Sequence, residues 1–446
     1  MIKRIESLVE NKGITLITLI VTIVILIILA TITVYTVLGE NGIVAKANDA
    51  KQRQSNAQTS DNIKLNILDK IIEYATGNLE GEIVSSSFRI LTNNVELVDR
   101  KGSIKIEVTN NNDYDITYKI YSNNTYYSFS STDQTYEIPK NSKIELDIDI
   151  KLLYGNGLSY DSGEEKYIDD VEIIASSIEP YTKEDTQTFR VYSSDKPGTK
   201  DFPIGINSAD DFIYYMNSKN NQYENIYFKQ TTDLDLTDSY KGISDAYQFK
   251  GIYDGAGHTI TVETDTDKGT TTAPFPRVDG VIMNLGIVGK ITGSNVGSFT
   301  VGIYGKGTII NCWSTAEVEG NHRPGGVTCY TQEGGLIANV FYAGQLTGIK
   351  AHDHVGPLVA WPSRYSSNKS TYFNNYYQSG IDFTSANHGQ ATEMTEEEMK
   401  SQTLIDLLNN GREESVALVD ASFNVTSEDL LTWTMGPEGY PVLLQN

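Results

Sequence analysis

The 446-residue sequence predicts a mainly β protein with a long N-terminal α-helix, an antiparallel β-sandwich and a C-terminal parallel β-solenoid. Three observations lead to this fold class: an uncharged apolar run near the N-terminus, segments in which apolar residues alternate with polar ones, and a repeat in the C-terminal half. The 28 tyrosines and only 11 prolines favour strands over an all-helical protein.

The apolar run extends from Ile14 to Leu38 and contains no charged residue. At about 1.5 Å per residue it is long enough, as a helix, to cross a hydrocarbon core of about 30 Å. It exceeds the roughly 7–15 apolar residues of a cleaved secretion signal. Because Lys3, Arg4 and Lys12 precede it, the positive-inside rule predicts a single membrane pass with a cytoplasmic N-terminus.

The junction Lys12-Gly13-Ile14 at the start of this run resembles the class III leader of type IV prepilins and of type II secretion pseudopilins. The resemblance implies that a prepilin peptidase cleaves between Gly13 and Ile14, that Ile14 becomes N-methylated, and that the helix assembles with other pilin-like subunits. Thr18 stands at the assembly position where the family usually has Glu. This departure favours a minor or tip-type subunit over a major pilin. An ordinary single-pass anchor is the alternative.

Beyond the membrane run, Ile63, Ile67, Ile71 and Tyr74 form one apolar stripe with helical spacing. This pattern resembles that of pilins, in which the second half of one long helix docks onto a globular head. We therefore divide the N-terminal part into a leader at 1–13 and a transmembrane, pilin-like helix at 14–77.

Apolar residues then alternate at 104–108, 116–121 and 144–150, which is typical of strands with one buried face. These strands predict an antiparallel β-sandwich at 78–195. A Pro- and Gly-containing linker at 193–200 marks its end. A short helix at 206–217 is expected to begin after Ser208 as its N-cap.

Three segments beginning at Val281, Thr308 and Leu336 align over thirteen residues, with apolar columns and a column of Asn284, Asn311 and Asn339. This period predicts a β-solenoid at 196–446 in which the asparagines form a ladder of amide hydrogen bonds. The region resembles the Gly-rich GLUG repeats of bacterial surface proteins. A helix beginning at Thr395 and the C-terminal residues are expected to cap it.

The formal net charge of −23 lies downstream of the apolar run and disfavours nucleic acid as a partner. No pattern indicates a catalytic centre, a metal site or a cofactor; His352-Asp353-His354 and Asp265 to Gly269 are interpreted as loops. Cys312 and Cys329 are a candidate disulfide, and whether they pair is left open. Trp313 and Phe341 share a repeat column, which is either a ligand face for sugar stacking or a structural stack.

These observations predict a non-enzymatic, minor or tip-type pilin-like subunit that displays β domains for adhesion to an extracellular carbohydrate or protein. It would lie in the cell membrane before assembly and at the cell surface or in a pilus afterwards. Two alternatives are a pseudopilin of a type II-like secretion system and a membrane-tethered β-helix enzyme that degrades polysaccharide. Three or more carboxylates close together on one solenoid face would favour the enzyme.

Overall fold

The computed structural model describes residues 86–179, 182–217, 223–237, 240, 248–264, 272–332, 334–348, 354–362, 370–381 and 390–445. All of them belong to one compact unit that begins at Ser86.

The predicted fold class is wrong. The described part of the chain consists mainly of strands, but it contains three short helices and no long helix. The longest helix there has 15 residues. The leader at 1–13 and the expected helix at 14–77 lie outside the described residues. Within those residues, no helix has the length and apolarity needed to span a membrane.

A sandwich of two sheets comes first. One sheet has the order β1-β3-β7-β5, and the other has the order β2-β10-β9-β4-β6 with β8 beside β9. Neighbouring strands are antiparallel except for the pair β2 and β10. The strands are β1 Ser86–Ile90, β2 Asn94–Leu97, β3 Lys101–Asn110, β4 Ile116–Tyr121, β5 Tyr127–Phe129, β6 Thr135–Ile138, β7 Ser142–Leu152, β8 Ser159–Asp161, β9 Lys166–Glu179 and β10 Lys183–Ser193.

Alternation along the strands produces the sandwich core. Ile104, Ile106 and Val108 of β3 are fully buried, whereas Lys105 between them is exposed and lies 3.7 Å from Asp147 of β7. Each central strand therefore has one apolar face toward the other sheet and one charged face toward solvent.

Three parallel sheets follow and form a β-solenoid, which confirms that prediction. We name them the first sheet (β11-β12-β15-β18-β21-β25-β29), the second sheet (β13-β16-β19-β22-β26-β30-β31, with β23 and β27) and the third sheet (β14-β17-β20-β24-β28). Their strands are β11 Ile204–Ile206, β12 Tyr227–Gln230, β13 Leu234–Asp235, β14 Gln248–Phe249, β15 Ile252–Asp254, β16 Thr259–Thr264, β17 Arg277–Val278, β18 Val281–Met283, β19 Gly286–Gly297, β20 Thr300–Ile303, β21 Thr308–Ile310, β22 Trp313–Ser314, β23 Glu317–Gly325, β24 Thr328–Thr331, β25 Leu336–Ala338, β26 Phe341–Tyr342, β27 Leu346–Gly348, β28 Val359–Trp361, β29 Thr371–Phe373, β30 Tyr376–Gln378 and β31 Thr392–Met394.

The repeat columns of the sequence are neighbours in the first sheet. Ile282 pairs in register with Ile309, and Ile309 pairs with Ile337. All three side chains are fully buried in the solenoid interior. One coil therefore supplies one layer of a continuous apolar core, as expected for stacked repeats.

The asparagine ladder is confirmed at the turn between the first and second sheets. Asn284, Asn311, Asn339 and Asn374 have φ of 53°, 55°, 57° and 51°, the left-handed conformation that Asn tolerates better than most residues. Each amide Nδ2 donates to the Oδ1 of the preceding coil, at 2.8, 2.7 and 2.6 Å. The ladder ends at Asp254, whose Oδ1 accepts from Asn284 Nδ2 at 2.9 Å.

Asp254 is a buried carboxylate at the end of this ladder. Its Oδ2 accepts a hydrogen bond from the Tyr227 hydroxyl at 3.1 Å, and its Oδ1 accepts from the Ala256 amide at 2.9 Å. Burial nevertheless raises the pKa of the Asp254 carboxyl above its ordinary value of 3.8, because three hydrogen bonds only partly replace the lost hydration.

Short helices cover the solenoid. Helix α1, Ala209–Met216, begins after Ser208, whose Oγ accepts from the Asp211 amide at 3.1 Å. Near the C-terminus come α2 Glu396–Met399, α3 Gln402–Val416, 3₁₀ turns at Ala421–Phe423 and Ser427–Asp429, and a hairpin of β32 Trp433–Met435 and β33 Pro441–Leu443. We call residues 421–445 the C-terminal segment.

The sandwich and the solenoid meet through a short, buried junction. Asn156 of the sandwich donates to the Gly205 carbonyl at 2.8 Å and accepts from the Gly205 amide at 2.7 Å. The Tyr126 hydroxyl donates to Asp211 of α1 at 3.0 Å, and Phe202 is buried in the sandwich core. These contacts hold the first solenoid coil against the sandwich.

Candidate binding cleft beside Trp313

Trp313 and Phe341 lie side by side on the outer face of the second sheet. Their rings are stacked, with centroids 6.1 Å apart and planes inclined by 12°. Trp433 and Tyr440 of the C-terminal segment pack over Phe341 at centroid distances of 5.8 and 6.4 Å. Phe341 is fully buried and Trp313 is 7% exposed, so the column forms a covered stack instead of an open ladder.

Gly286 determines where the Trp313 indole lies. The two residues are paired in register on β19 and β22. A Cβ atom at position 286 would lie 2.5 Å from ring atoms of Trp313, so the indole occupies the space that any other side chain would need. A glycine at position 286 therefore allows the Trp313 indole to lie over the backbone of the neighbouring coil.

A cleft of about 550 Å³ lies beside the indole, between the second sheet and the C-terminal segment. Val288, Trp313, Tyr440 and Val442 supply apolar surface to it. This volume is within the range of about 300–1,000 Å³ that is usual for small-molecule sites. At one end, Gln445 Nε2 lies 3.0 Å from His258 Nδ1, so the last residues of the segment contact the turn before β16.

Polar side chains also line the cleft, among them Asp233, Thr315, Thr434, Glu438 and Gln445. Trp313 Nε1 is buried and has no hydrogen-bond partner in the described part of the chain. Asp233 and Glu438 line the cleft as exposed carboxylates, and Asp233 Oδ1 accepts from the Thr259 amide at 2.8 Å. The site therefore combines apolar walls with hydroxyl, amide and carboxylate side chains.

Tyr440 of the cleft has a cation at its ring. Lys400 Nζ lies 4.6 Å from the ring centroid, and Lys400 is itself paired with Glu396 at 2.7 Å. Burial raises the pKa of the Tyr440 hydroxyl, which donates to Gln378 Oε1 at 2.5 Å. Tyr440 therefore stays neutral at physiological pH.

Cys312 and Cys329 are both thiols in the structure. Cys312 lies in the solenoid core, whereas Cys329 lies in a small separate cluster with Ala273 and Val301. Burial raises the pKa of the Cys312 thiol, whose Sγ is 3.2 Å from the Ile310 carbonyl oxygen. A thiol held protonated in this way is a weak nucleophile.

Several sequence-predicted positions lie outside the described residues. They are Gly13, Ile14, Thr18, His352, Asp353 and the segment from Asp265 to Gly269. His354 is described, and its ring is stacked on Trp361 with centroids 5.5 Å apart. Over the described ranges, no group of three or more His, Cys, Asp or Glu could hold a metal ion.

Sequence reasoning missed an aromatic surface on the third sheet. The Tyr304 and Tyr330 hydroxyls are 2.8 Å apart, and the Arg323 guanidinium lies 4.0 Å from the Trp361 ring centroid. Tyr330 pairs in register with Trp361, so these two rings belong to one column, and Tyr304 lies beside it. The short apolar stretches that begin at Val296, Pro324 and Val355 in successive repeats were the available signal for this column.

No protein-family model and no curated protein matches this chain. Seventy-two chains of solved structures match. Among them is native α2-macroglobulin from Escherichia coli, spanning domain MG7 to the C-terminus, with 11% identity and a TM-score of 0.19 over 26% of this chain and 17% of that chain. PapD-like domain 7 of human CEP192 has 9% identity and a TM-score of 0.18 over 27% and 90%. WR4, an MSP family member of C. elegans, has 14% identity and a TM-score of 0.17 over 24% and 96%.

This chain spans about a sixth of the α2-macroglobulin fragment. The similarities are too weak to indicate a function. The described fold and cleft define the protein at the level of class, as a β-sandwich joined to a capped β-solenoid with a candidate ligand site.

Proposed function

We propose that this protein is a minor or tip-type pilin-like subunit that displays its sandwich and solenoid at the cell surface for binding. The single observation that supports the binding role is the cleft of about 550 Å³ beside Trp313, whose lining combines apolar side chains with exposed carboxylates. Recognition of a ligand at this cleft requires no catalytic step.

The N-terminal sequence supports the location. The Lys12-Gly13-Ile14 junction and the uncharged run to Leu38 resemble those of pilin-like subunits, which are held in the membrane and then transferred into an assembly. Thr18 cannot neutralise the N-terminal amine of a neighbouring subunit, because it carries no charge. A position with no subunit above it, such as the tip, suits this residue.

The joined sandwich and solenoid support the display role. Asn156, Tyr126 and Phe202 hold the sandwich against the first solenoid coil, so the two modules would be displayed together.

The location is tested by mass spectrometry of the mature protein, produced in a host whose prepilin peptidase processes its own pilins. We expect an N-terminus at methylated Ile14. Gly13→Leu should retain Met1, because a branched side chain blocks the extended backbone at the cleaved bond, and Gly39→Leu is the matched control outside the junction. A wild-type protein that retains Met1 contradicts the proposal. Antibody labelling of fibres then separates a pilus subunit from a pseudopilin.

Degradation of polysaccharide is the alternative function. Asp233 and Glu438 are the carboxylates among the described residues that line the cleft, which is fewer than the three that would favour an enzyme. Release of reducing ends by the wild type, with loss of turnover but not of binding in Asp233→Asn or Glu438→Gln, would replace the binding proposal with this one.

A further inference from the structure

We propose that the aromatic surface on the third sheet holds a site for a sugar acid, whose carboxylate is bound by Arg323. The surface consists of Tyr304, Tyr330 and Trp361, and the Arg323 guanidinium lies over the Trp361 ring. This inference goes beyond the function proposed for the cleft beside Trp313. It rests on that function only in requiring that the solenoid faces the outside of the cell.

Arg323 has no anionic partner in the part of the chain that the structure describes. Its guanidinium lies 4.0 Å from the centroid of the Trp361 ring, and its Nε has no hydrogen-bond partner there. In contrast, Arg190 donates from two nitrogens to the carboxylate of Asp170, both at 2.7 Å. The half-buried Arg323 is therefore a cation whose terminal nitrogens are available to an acceptor from outside the chain.

Stacking holds this guanidinium in place. The Trp361 indole contacts Arg323 and is also stacked on His354, with ring centroids 5.5 Å apart and planes inclined by 16°. A guanidinium over an aromatic ring keeps its N–H groups at its edge, where two of them can donate in parallel to one carboxylate. Arg323 therefore suits a planar oxyanion.

The charge of the chain favours a carboxylate over a phosphate or a polyanion. The formal net charge is −23, and a negative field repels a ligand in proportion to the ligand's own charge. A carboxylate carries a single negative charge, whereas a phosphate monoester carries nearly two at neutral pH. One guanidinium can neutralise the carboxylate completely.

The tyrosine pair adds a second donor. The Tyr304 and Tyr330 hydroxyls are 2.8 Å apart, so one donates to the other, and the remaining hydroxyl hydrogen has no acceptor among the described residues. Burial raises the pKa of the Tyr330 hydroxyl, which therefore keeps its proton at neutral pH. Tyr330 and Trp361 lie on neighbouring strands, which are about 4.8 Å apart, so this donor is close to Arg323.

These two donors together favour a sugar acid over an acidic peptide. A sugar acid carries hydroxyl oxygens beside its carboxylate on one rigid ring, and such oxygens can accept the tyrosine hydrogen. The carboxylate of an acidic side chain stands alone at the end of a flexible stem.

The experiment uses the full chain purified in detergent micelles, with ligands titrated by calorimetry at low salt. The probes are a disaccharide that ends in glucuronic acid, the same disaccharide with glucose in that place, N-acetylglutamate and inorganic phosphate. We expect saturable binding of the glucuronate disaccharide, about tenfold or more tighter than that of its neutral counterpart. Added salt should weaken this binding, because the ligand is charged.

Variants assign the binding to the third sheet. Arg323→Gln should weaken binding of the glucuronate disaccharide by about tenfold or more, whereas Arg323→Lys keeps the charge and should lose less. Combined Tyr304→Phe and Tyr330→Phe removes the second donor and should cost roughly three- to tenfold. Arg190→Gln is the matched control and should bind like the wild type, because Asp170 already occupies that guanidinium. Circular dichroism verifies that each variant is folded.

The proposal is overturned if the wild type does not bind the glucuronate disaccharide, if the neutral disaccharide binds as tightly, or if N-acetylglutamate or phosphate binds more tightly. Wild-type affinity in folded Arg323→Gln would also overturn it. An equal loss in Arg190→Gln would do the same, since overall charge would then explain the binding. The mature N-terminus and fibre labelling are read without ligand, so failure of the surface-subunit proposal is recognised separately.

Discussion

Replacement of Asn311 by Ala tests whether the asparagine ladder holds the solenoid together. Asn311 Nδ2 donates to Asn284 Oδ1 at 2.8 Å and to the Leu431 carbonyl at 3.1 Å. Its Oδ1 accepts from Asn339 Nδ2 and from Trp433 Nε1, both at 2.7 Å. Asn311→Ala removes all four hydrogen bonds and leaves two buried donors without their acceptor.

The expected cost follows from these contacts. Each buried donor left without an acceptor costs roughly 1–3 kcal/mol, and an Ala in the left-handed conformation costs roughly 1–2 kcal/mol more. Entry of water into the vacated space reduces the sum, so we expect a loss of about 3–5 kcal/mol in the free energy of unfolding. That loss is a large part of the roughly 5–15 kcal/mol that stabilises a typical domain.

Urea denaturation followed by tryptophan fluorescence measures this loss, because the three tryptophans, Trp313, Trp361 and Trp433, all lie in the solenoid region. Asn311→Gly separates the backbone effect from the hydrogen bonds and should recover roughly 1–2 kcal/mol. Asn374→Ala is the matched control, since Asn374 has the same left-handed φ but is only half-buried, so that its former partners are closer to water.

A loss below about 1 kcal/mol for Asn311→Ala would refute the reasoning, because it would mean that the buried donors find other acceptors at little cost. A loss for Asn374→Ala as large as that for Asn311→Ala would also refute it, since burial would then have no influence.

Three more substitutions test other parts of the structure. Burial raises the pKa of Asp254, so its stabilising contribution is complete below the ordinary value of 3.8 and is lost as pH rises through the folded-state pKa. Asp254→Asn should therefore raise the melting temperature more at neutral than at acidic pH; equal effects at both would contradict this. Gly286→Ala places a methyl group 2.5 Å from the Trp313 ring and should cost about 1–3 kcal/mol, with red-shifted fluorescence as the indole becomes exposed; an unchanged spectrum would show that the indole does not depend on Gly286. Asn156→Ala removes both hydrogen bonds to Gly205 and should speed limited proteolysis in the linker between sandwich and solenoid, whereas cleavage at the wild-type rate would assign the junction to other contacts.

Local patterns were sufficient to predict the repeating part of the fold. The columns of Ile282, Ile309 and Ile337 and of the asparagines recur at a constant period, and stacked coils bring equal positions together. Ser208 as a helix cap was equally local, since cap and partner are three residues apart. The predicted fold class is nevertheless wrong, because the described part of the chain contains no long helix, and the expected helix at 14–77 lies outside that part.

The candidate site could not be predicted from these patterns. Repeat alignment placed Trp313 and Phe341 in one column, but it carried no information about what covers them. The cover is the C-terminal segment, whose hydrogen bonds join Leu431 to Asn284 across 147 residues and Trp433 to Asn311 across 122. No periodic pattern in residues 421–445 indicates that this segment packs against the earlier coils. The sequence therefore gave no local indication that Asp233 and Tyr440 line the same cleft.

The return of the C-terminal segment across the asparagine ladder has a consequence for how the protein can evolve. Asp429 and Leu431 accept hydrogen bonds at their carbonyls from Asn284 and Asn311, which belong to successive coils. Many repeat proteins gain or lose units freely, because each unit contacts only its neighbours. In this chain, deleting either of these coils would remove an amide that the segment needs. The C-terminal segment therefore constrains the number of coils, and we expect homologues that keep this segment to keep these two coils as well.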